Sequence, residues 1–409
     1  MSESDLDVDV LVVGGGPGGA AAAVALARAG REVVVVDKAT FPRDKICGDG
    51  LTTGALHHLE HIGVDPGRVA SWRTVDTMEV VTPSGEVRTL PFPQGQGAYA
   101  AVARRIDLDA EVLDAARRAG ATVHAGHALC RVAAPGSADE PFVGSVTGLG
   151  TVRARHVVGA DGMWSPLRKA MGLAVPGYRG DCHAFRQYLR GVDAAALDAL
   201  WVWFEPDVLP GYAWSFPLGD GSVNVGFGIH RGGRMGVSEM GEVWRSLLRR
   251  PALTRVLGTG WEAEGPPRAW PIPARLGALP LAHGRALFVG DAAGACDPMT
   301  GEGIGQALAS GLDAAAAVLA GRSCDPAGIA AAYETTLRRG LVRDNAMAAR
   351  LLPLLRRRQG AEAAVRVASA TPWVRQSFAR WLFEDYPRAL VLTPHRWHRG
   401  AFTGPGSYR

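Results

Sequence analysis

Four clusters of residues have types and spacings that could do chemistry. Gly14-x-Gly16-x-x-Gly19 leaves a stretch of backbone without side chains, so its N–H groups can approach a pyrophosphate closely. A second segment sets Arg43, Lys45, Cys47, Gly48, Asp49 and Gly50 together. A thiol there can deliver or relay a proton, with Lys45 and Asp49 pulling its pKa in opposite directions. Free cysteine is otherwise a small buried hydrophobe, and that reading stands beside the catalytic one. The third cluster is Asp161-Gly162 followed by Ser165, Pro166 and Arg168. The fourth runs from Gly290-Asp291 through Pro298 to Gly301-Glu302-Gly303-Ile304. Asp291 can accept from sugar hydroxyls or cap a helix; the residue type allows both. A helix starting near Ile304 would aim its positive end at a ring that gains negative charge on reduction.

These clusters need rigid supports. Val8–Val13 is an unbroken apolar run, the pattern of a strand buried on both faces. The glycine turn follows, then AAAAVALARAG, a helix of small residues stopped at Gly30. Glu32–Val36 is a second buried strand ending at Asp37, an acid suited to ribose hydroxyls. The βαβ unit predicts dinucleotide binding and leaves FAD and NAD both open. The segments with Asp161 and Asp291 each follow a further apolar strand. Arg105 opens a helix over IDLDAEVLDAARRAG, with Arg104 one residue away as an alternative for any role assigned there.

The middle of the chain alternates aromatics with small residues between Pro-, Gly- and Asp-rich turns, which predicts antiparallel sheet. Trp203, Tyr212, Trp214, Phe216, Pro217 and Phe227 are the candidates for an apolar pocket. Cross-strand packing alone would also call for such aromatics, and alternate faces of one sheet could serve both ends. From 327 to about 384, helical segments carry apolar residues among arginines. They read either as a solvated helical cap or as a surface that docks on anionic lipid.

Composition narrows the classes. The chain has 409 residues and a formal net charge of +4, too weak a field to grip nucleic acid. Apolar residues make up 47%, enough for a full core. Five scattered cysteines without metal-ligand or disulfide spacing predict a reducing cytoplasm and no metal site. The remaining four (Cys130, Cys182, Cys296, Cys324) are expected to pack in the core. Arginine outnumbers the three lysines, Lys38, Lys45 and Lys169, so heavily that it reads as the codon bias of a GC-rich bacterial genome. The 53 glycines concentrate partly in the clusters above.

The set resembles the flavoproteins of the para-hydroxybenzoate hydroxylase fold, and within them the geranylgeranyl reductase family, which includes menaquinone and digeranylgeranylglycerophospholipid reductases. The resemblance rests on Gly14/Gly16/Gly19, Cys47-Gly48-Asp49-Gly50-Leu51, Arg105-x-x-Leu108-Asp109, Asp161-Gly162, Tyr212-x-Trp214-x-Phe216-Pro217 and Gly290-Asp291 through Ile304. It implies an α/β Rossmann-like FAD-binding domain of the glutathione-reductase type, an antiparallel substrate sheet and a helical C-terminus. FAD is the implied cofactor. Its binding residues are Gly14, Gly16, Pro17, Gly18, Gly19, Asp37, Lys38, Arg43, Cys47, Gly48, Arg105, Asp161, Gly162, Gly290, Asp291, Pro298, Gly301, Gly303 and Ile304. Because these motifs are scattered, the FAD domain is expected to be discontinuous over 1–71, 99–174 and 271–325. The substrate sheet takes 72–98 and 175–270, and the helical region 326–409.

The implied activity is reduction of C=C bonds in an isoprenoid or other apolar substrate, with hydride from reduced flavin N5 and Cys47 and Asp49 as candidate catalytic groups. A monooxygenase or oxidase tailoring a secondary metabolite is the alternative, and a flavin-binding module without turnover a third. Halogenases of this fold carry Trp-x-Trp-x-Ile-Pro where this chain has Tyr212-Ala-Trp214-Ser-Phe216-Pro217, which disfavours them. No second Gly-x-Gly-x-x-Gly unit exists for a nicotinamide cofactor, so NAD(P)H would bind transiently or a redox protein would supply electrons. The expected partners are an apolar small molecule or lipid, with peripheral contact at the inner membrane face through the tail helices; nucleic acid is not among them.

Overall fold

A computed structural model describes all residues except 1–4, 134–139, 234, 322–324 and 398–401. Cys324 therefore lies outside the described residues. The strand Leu6–Val13 is sequestered because its neighbours are strands on both sides and helices above and below; Val10, Leu11 and Val12 have no solvent exposure. It pairs in parallel with Val33–Asp37 on one side and Gly150–Gly159 on the other. Thr122–Ala125 and Ala286–Phe288 extend this sheet, also in parallel. Parallel strands need crossover connections, and the glycine turn with helix Pro17–Arg28 supplies the first. That helix ends at Gly30, whose φ of +78° is the left-handed turn expected there.

A seven-stranded sheet lies apart from it, in the order Glu262–Ile272, Cys182–Arg190, Val223–His230, Ala213–Pro217, Leu200–Trp203, Thr77–Val81 and Val87–Pro91. Its pairs are antiparallel except for Thr77–Val81 with Leu200–Trp203. A short three-stranded sheet joins Gly50–Leu51, Ala101–Val102 and Arg73–Thr74, so the segment after Cys47 is fixed by backbone pairing. The C-terminal region is helical over Pro326–Arg339, Leu341–Leu355, Arg358–Ala368 and Pro372–Leu382. The chain end then returns to the body: Ser407 exchanges backbone hydrogen bonds with Ala98 at 2.7 and 2.9 Å. Among the described residues, no helix is long and apolar enough to cross a membrane. Cys130, expected in the core, is exposed on an outer strand, whereas Cys182 and Cys296 are buried.

Helix Pro17–Arg28 crosses helix Ile304–Ala320 at glycines. A Cβ on Gly311 would lie 2.1 Å from the Gly18 carbonyl oxygen, and one on Gly18 would lie 2.9 Å from that of Ala307. Backbone meets backbone, so nothing flexible can yield. Gly311→Ala should therefore push the helices apart, at an overpacking cost of about 1–3 kcal/mol. In a thermal melt the midpoint should fall by about 1–4 °C, at roughly 1 °C per kcal/mol for a chain of this size.

Candidate active site

The phosphate turn is a cradle in which some glycines are needed for packing and others leave space. Gly14 has φ +108°, and a Cβ there would sit 2.2 Å from the Ala160 oxygen. A Cβ on Gly19 would sit 2.0 Å from the Gly14 oxygen. At Gly16 the nearest atom to such a Cβ is 3.6 Å away, on the Arg43 guanidinium, so this face is open. Gly16 is also the N-cap of the helix and offers no side chain to its first N–H groups. Open backbone donors at a helix start beside an arginine are the donor set a pyrophosphate needs, so the turn fits FAD. Pro17 occupies the first helical position, where its missing N–H costs nothing. Asp37 braces the turn: its carboxylate accepts from Gly15 N at 2.7 Å and Ala39 N at 2.8 Å. Lys38 points to solvent.

The Asp161 and Asp291 segments meet beside it. Asp161 accepts from Leu167 N at 2.8 Å, while its other oxygen is buried without a partner. Burial raises its pKa, which marks a carboxyl short of donors. Gly162 has φ +83° and open space where a Cβ would stand. Asp291 does not cap a helix; its carboxylate faces Lys45 Nζ at 3.4 Å and Cys296 Sγ at 3.3 Å. Lys45 lies over the Trp270 ring at 4.4 Å, so a flexible cation occupies the space between Asp291 and the sheet.

Asp297 ties the next turn by accepting from Met299 N, Thr300 N and the Thr300 hydroxyl. Pro298 is buried within it. Gly301 is left-handed at φ +72°, and Gly303 precedes Ile304, which starts the helix. The N-terminus of this helix is not bare: Glu302 Oε1 accepts from Gly305 N at 2.6 Å. Burial, with Asp297 nearby, pushes the Glu302 carboxyl above the usual carboxylate range.

The Cys47–Gly50 segment is gripped from two sides. On one, Arg105 is buried and holds Asp109 through two hydrogen bonds of 2.7 Å; Arg43 reaches the same carboxylate at 2.8 Å. The Arg105 charge reaches the Cys47 sulfur, yet burial dominates and raises the thiol pKa. Arg104 points elsewhere, to Glu264 at 2.9 Å and the Tyr188 ring at 4.2 Å. This distinguishes the two neighbouring arginines. On the other side, Asn224 Nδ2 donates to the Cys47 carbonyl and to Asp49 Oδ2, both at 2.8 Å, and Trp214 Nε1 donates to Asn224 Oδ1 at 3.0 Å. Tyr188 donates to Asp49 Oδ2 at 2.6 Å, its ring lying between Arg104 and Arg186. Asp49 is fully buried at φ +64°, with Oδ1 unpartnered; burial pushes its carboxyl up to about 6. A Cβ on Gly48 would sit 3.5 Å from the Trp214 ring, and one on Gly50 3.2 Å from Phe216. Asn224 and Tyr188 were not among the sequence-predicted site residues. The available signal was an asparagine inside an otherwise apolar strand, SVNVGFGIH.

The aromatic candidates split by strand alternation. Tyr212, Trp214 and Phe216 form one row with ring centroids 6.0 and 6.3 Å apart, on the face that covers Cys47–Gly50. Tyr212 also donates to the Thr300 carbonyl, joining the sheet to the Asp297–Gly303 turn. Pro217 ends the strand opposite Val223. Trp203 and Phe227 do not join this row. They pair with Ala213, on the opposite face, and Phe227 stacks on Trp244 in the core beneath the outer helices. The expected pocket therefore loses both residues, because a strand sends successive side chains to opposite faces.

The C-terminal region reaches this site through charge. Arg388 pairs with Asp297 at 2.8 Å and Glu384 at 3.3 Å, and Gln306 holds Glu384 at 2.7 Å. Arg388 and Asp297 are both shielded from solvent. Arg388→Met should strand Asp297 in the turn, at a cost of about 3–5 kcal/mol. The checks are a lower melting temperature and weaker FAD retention on gel filtration.

A family model described as an FAD binding domain matches residues 7–203. The chain is 33% identical over 308 residues to menaquinone reductase of Mycobacterium tuberculosis, covering 71% of each protein. It is 31% identical over 305 residues to digeranylgeranylglycerophospholipid reductase 2 of Methanopyrus kandleri, covering 70% of each. Among solved structures, a geranylgeranyl bacteriochlorophyll reductase-like protein of Thermoplasma acidophilum superposes with a TM-score of 0.78 at 24% identity, over 96% of this chain and 100% of that one. The p-nitrophenol 4-monooxygenase of Pseudomonas putida shares the fold, with a TM-score of 0.73 at 17% identity over 91% and 97% of the two chains. With the glycine turn, Asp291 turn and Cys47 segment set side by side and these relatives matched over more than two thirds of their length, this chain belongs to the geranylgeranyl reductase family of FAD-dependent oxidoreductases.

Proposed function

We propose that this protein reduces C=C bonds in an isoprenoid or other apolar substrate. The observation that supports the reading most directly is the clamp on Cys47–Gly50. It brings a half-buried thiol and a buried carboxyl, both raised in pKa, under the Tyr212–Trp214–Phe216 row. An apolar chain needs such a face, and saturating a C=C bond needs a proton donor beside a hydride donor.

Bound FAD supplies the hydride-donating ring. The turn Gly14–Gly19, with the helix start and Arg43, holds its pyrophosphate. Asp37 steadies that turn, and Asp291 would accept from ribityl hydroxyls. The Asp297–Gly303 turn and the start of helix Ile304–Ala320 would hold the flavin end of the cofactor. Cys47 holds a proton at Sγ and gives it to the substrate carbon that does not receive the hydride. Arg105 and the Asp49 backbone N–H steady the resulting thiolate, and Asp49 returns the proton.

The tail suits a lipid substrate. Trp373 is 74% exposed, Val391 70% and Trp397 60%, and the segment that precedes them in the chain carries Arg356, Arg357, Arg358 and Arg366. Apolar side chains among arginines favour an anionic lipid surface, and we place the protein on the inner face of the membrane from the cytoplasmic side.

Three measurements bear on this reading. Anaerobic mixing of the reduced holoenzyme with a polyprenyl substrate should reoxidise the flavin stoichiometrically; oxygen-dependent turnover with an oxygen atom placed in the product would overturn the reductase assignment. Cys47→Ala should slow that single turnover by about 10²–10⁴-fold, as loss of a general acid does. Steady-state rate should fall as pH rises through about 6, because the Asp49 carboxyl is protonated below that value and not above it, and Asp49→Asn should be slow and flat across the range. For the tail, co-sedimentation with vesicles rich in anionic lipid should exceed that with zwitterionic vesicles, and replacing Trp373 and Trp397 by Ala together should release the protein.

A further inference from the structure

A second cleft opens on the face of the seven-stranded sheet opposite the Tyr212–Phe216 row. It encloses about 420 Å³ and is lined by Trp164, Tyr178, Arg179, His183, Arg231 and Pro271. None of these residues belongs to the site described above, although Trp164 sits in the loop that follows Asp161-Gly162.

The chemistry of the lining is selective. Trp164 is 53% exposed and presents a free aromatic face. Arg179 is exposed and has no partner among the described residues. Arg231 donates to His183 Nδ1 at 3.1 Å, while its Nε is shielded and has no acceptor. That hydrogen bond leaves His183 a neutral ring with Nε2–H as a donor, and burial beside Arg231 holds its pKa below the ordinary value. No acidic side chain lines the cleft. Asp181, beside the lining residue Tyr178, is taken by Tyr178 and Arg275, and Arg275 stacks on the Tyr178 ring at 3.6 Å. The wall is thus rigid, and the charge left over is positive. Arginine donors beside an open indole match a phosphate joined to a flat base; a bare lipid diphosphate would have no use for the indole.

The cleft also adjoins the flavin turn. Asp181 N donates to the Ile272 carbonyl, next to Pro271, and the Ile272 side chain lies 3.9 Å from the Cβ position of Gly301.

We propose that this cleft docks the phosphorylated adenosine half of a dihydronicotinamide dinucleotide, the electron donor of the reaction, with the base on Trp164 and the phosphates on Arg179, Arg231 and His183. The inference rests on the reductase reading, which requires a two-electron source. In the exchange the dihydronicotinamide loses a hydride and becomes the oxidised nicotinamide. The oxidised flavin takes that hydride and one proton from solvent, so electrons and charge balance before any olefin is present.

The test uses FAD-loaded full-length protein without prenyl substrate. Calorimetric titration with NADP+, NAD+ and 2′,5′-ADP should show one site, with the preferred nucleotide distinguishing the 2′-phosphate form. Arg231→Gln and Arg179→Gln should weaken it by about tenfold or more each, the loss typical of a charge-assisted hydrogen bond. Trp164→Ala should weaken AMP binding but not that of inorganic pyrophosphate. In the same variants NAD(P)H should reduce the flavin slowly, while dithionite reduces it as in the parent protein. No nucleotide binding at millimolar concentration would overturn the proposal, as would variants that bind like the parent. Retention of geranylgeranyl diphosphate at this cleft in preference to nucleotides would overturn it too. Normal nucleotide binding and flavin reduction with no olefin reduction would instead sink the reductase reading and leave the cleft assigned.

Discussion

The contact on which the site depends is the crossing of two helices at Gly18 and Gly311. Each helix begins at a glycine turn, one at Gly16 and the other at Gly303. A Cβ on Gly311 would fall 2.1 Å from the Gly18 oxygen, so the crossing distance is set by backbone alone. The two helix starts are thereby held in fixed relation, as the proposed cofactor site requires. Small side chains carry this constraint along the first helix, where Ala20, Ala21, Ala22 and Ala23 are all fully buried. Glycine and alanine contribute little burial themselves. Their role is to let large apolar residues elsewhere pack without displacing the turns.

Around that crossing, polar groups act more as braces than as free ligands. Asp37 holds the Gly15 N–H, Asp297 holds Met299 and Thr300, and Glu302 holds Gly305. Such carboxylates lower the freedom of turns that must stay open. The Glu302 cap has an electrostatic consequence. A bare helix start would favour negative charge on a reduced ring without competition, whereas a carboxyl already seated there moderates it. Burial disfavours the charged form of this carboxyl, which weakens that competition.

Much of the fold was legible because its signals are local. A continuous apolar run, a glycine turn and an alanine-rich helix leave few alternatives to a βαβ unit, and the scattered cofactor motifs each follow a strand. The steric role of Gly14 and Gly19 is visible in sequence because no other residue tolerates such contacts. What sequence could not show was phase and distance. Trp203 and Phe227 looked like pocket residues because aromatics occupy both faces of that sheet, and composition does not reveal which face a given strand turns inward. Arg104 and Arg105 looked interchangeable until Asp109, one helical turn on, claimed one of them.

The least legible features are the long-range polar ones. Asn224 joins Cys47 and Asp49 across more than 170 residues of chain. Arg388 closes on Asp297 from a region whose sequence suggested only a basic helical cap. Both are buried polar contacts, and a buried polar group without its partner is costly, so each partner constrains the other's position. This is why the substrate sheet and the tail cannot be treated as covers laid over a finished cofactor domain. Asn224 and Tyr188 orient the segment that carries the thiol, and Arg388 pairs with the carboxylate that ties the Asp297–Gly303 turn. Loss of either would disturb the geometry at Cys47 or at Gly301 without touching a residue of the motifs by which the family is recognised.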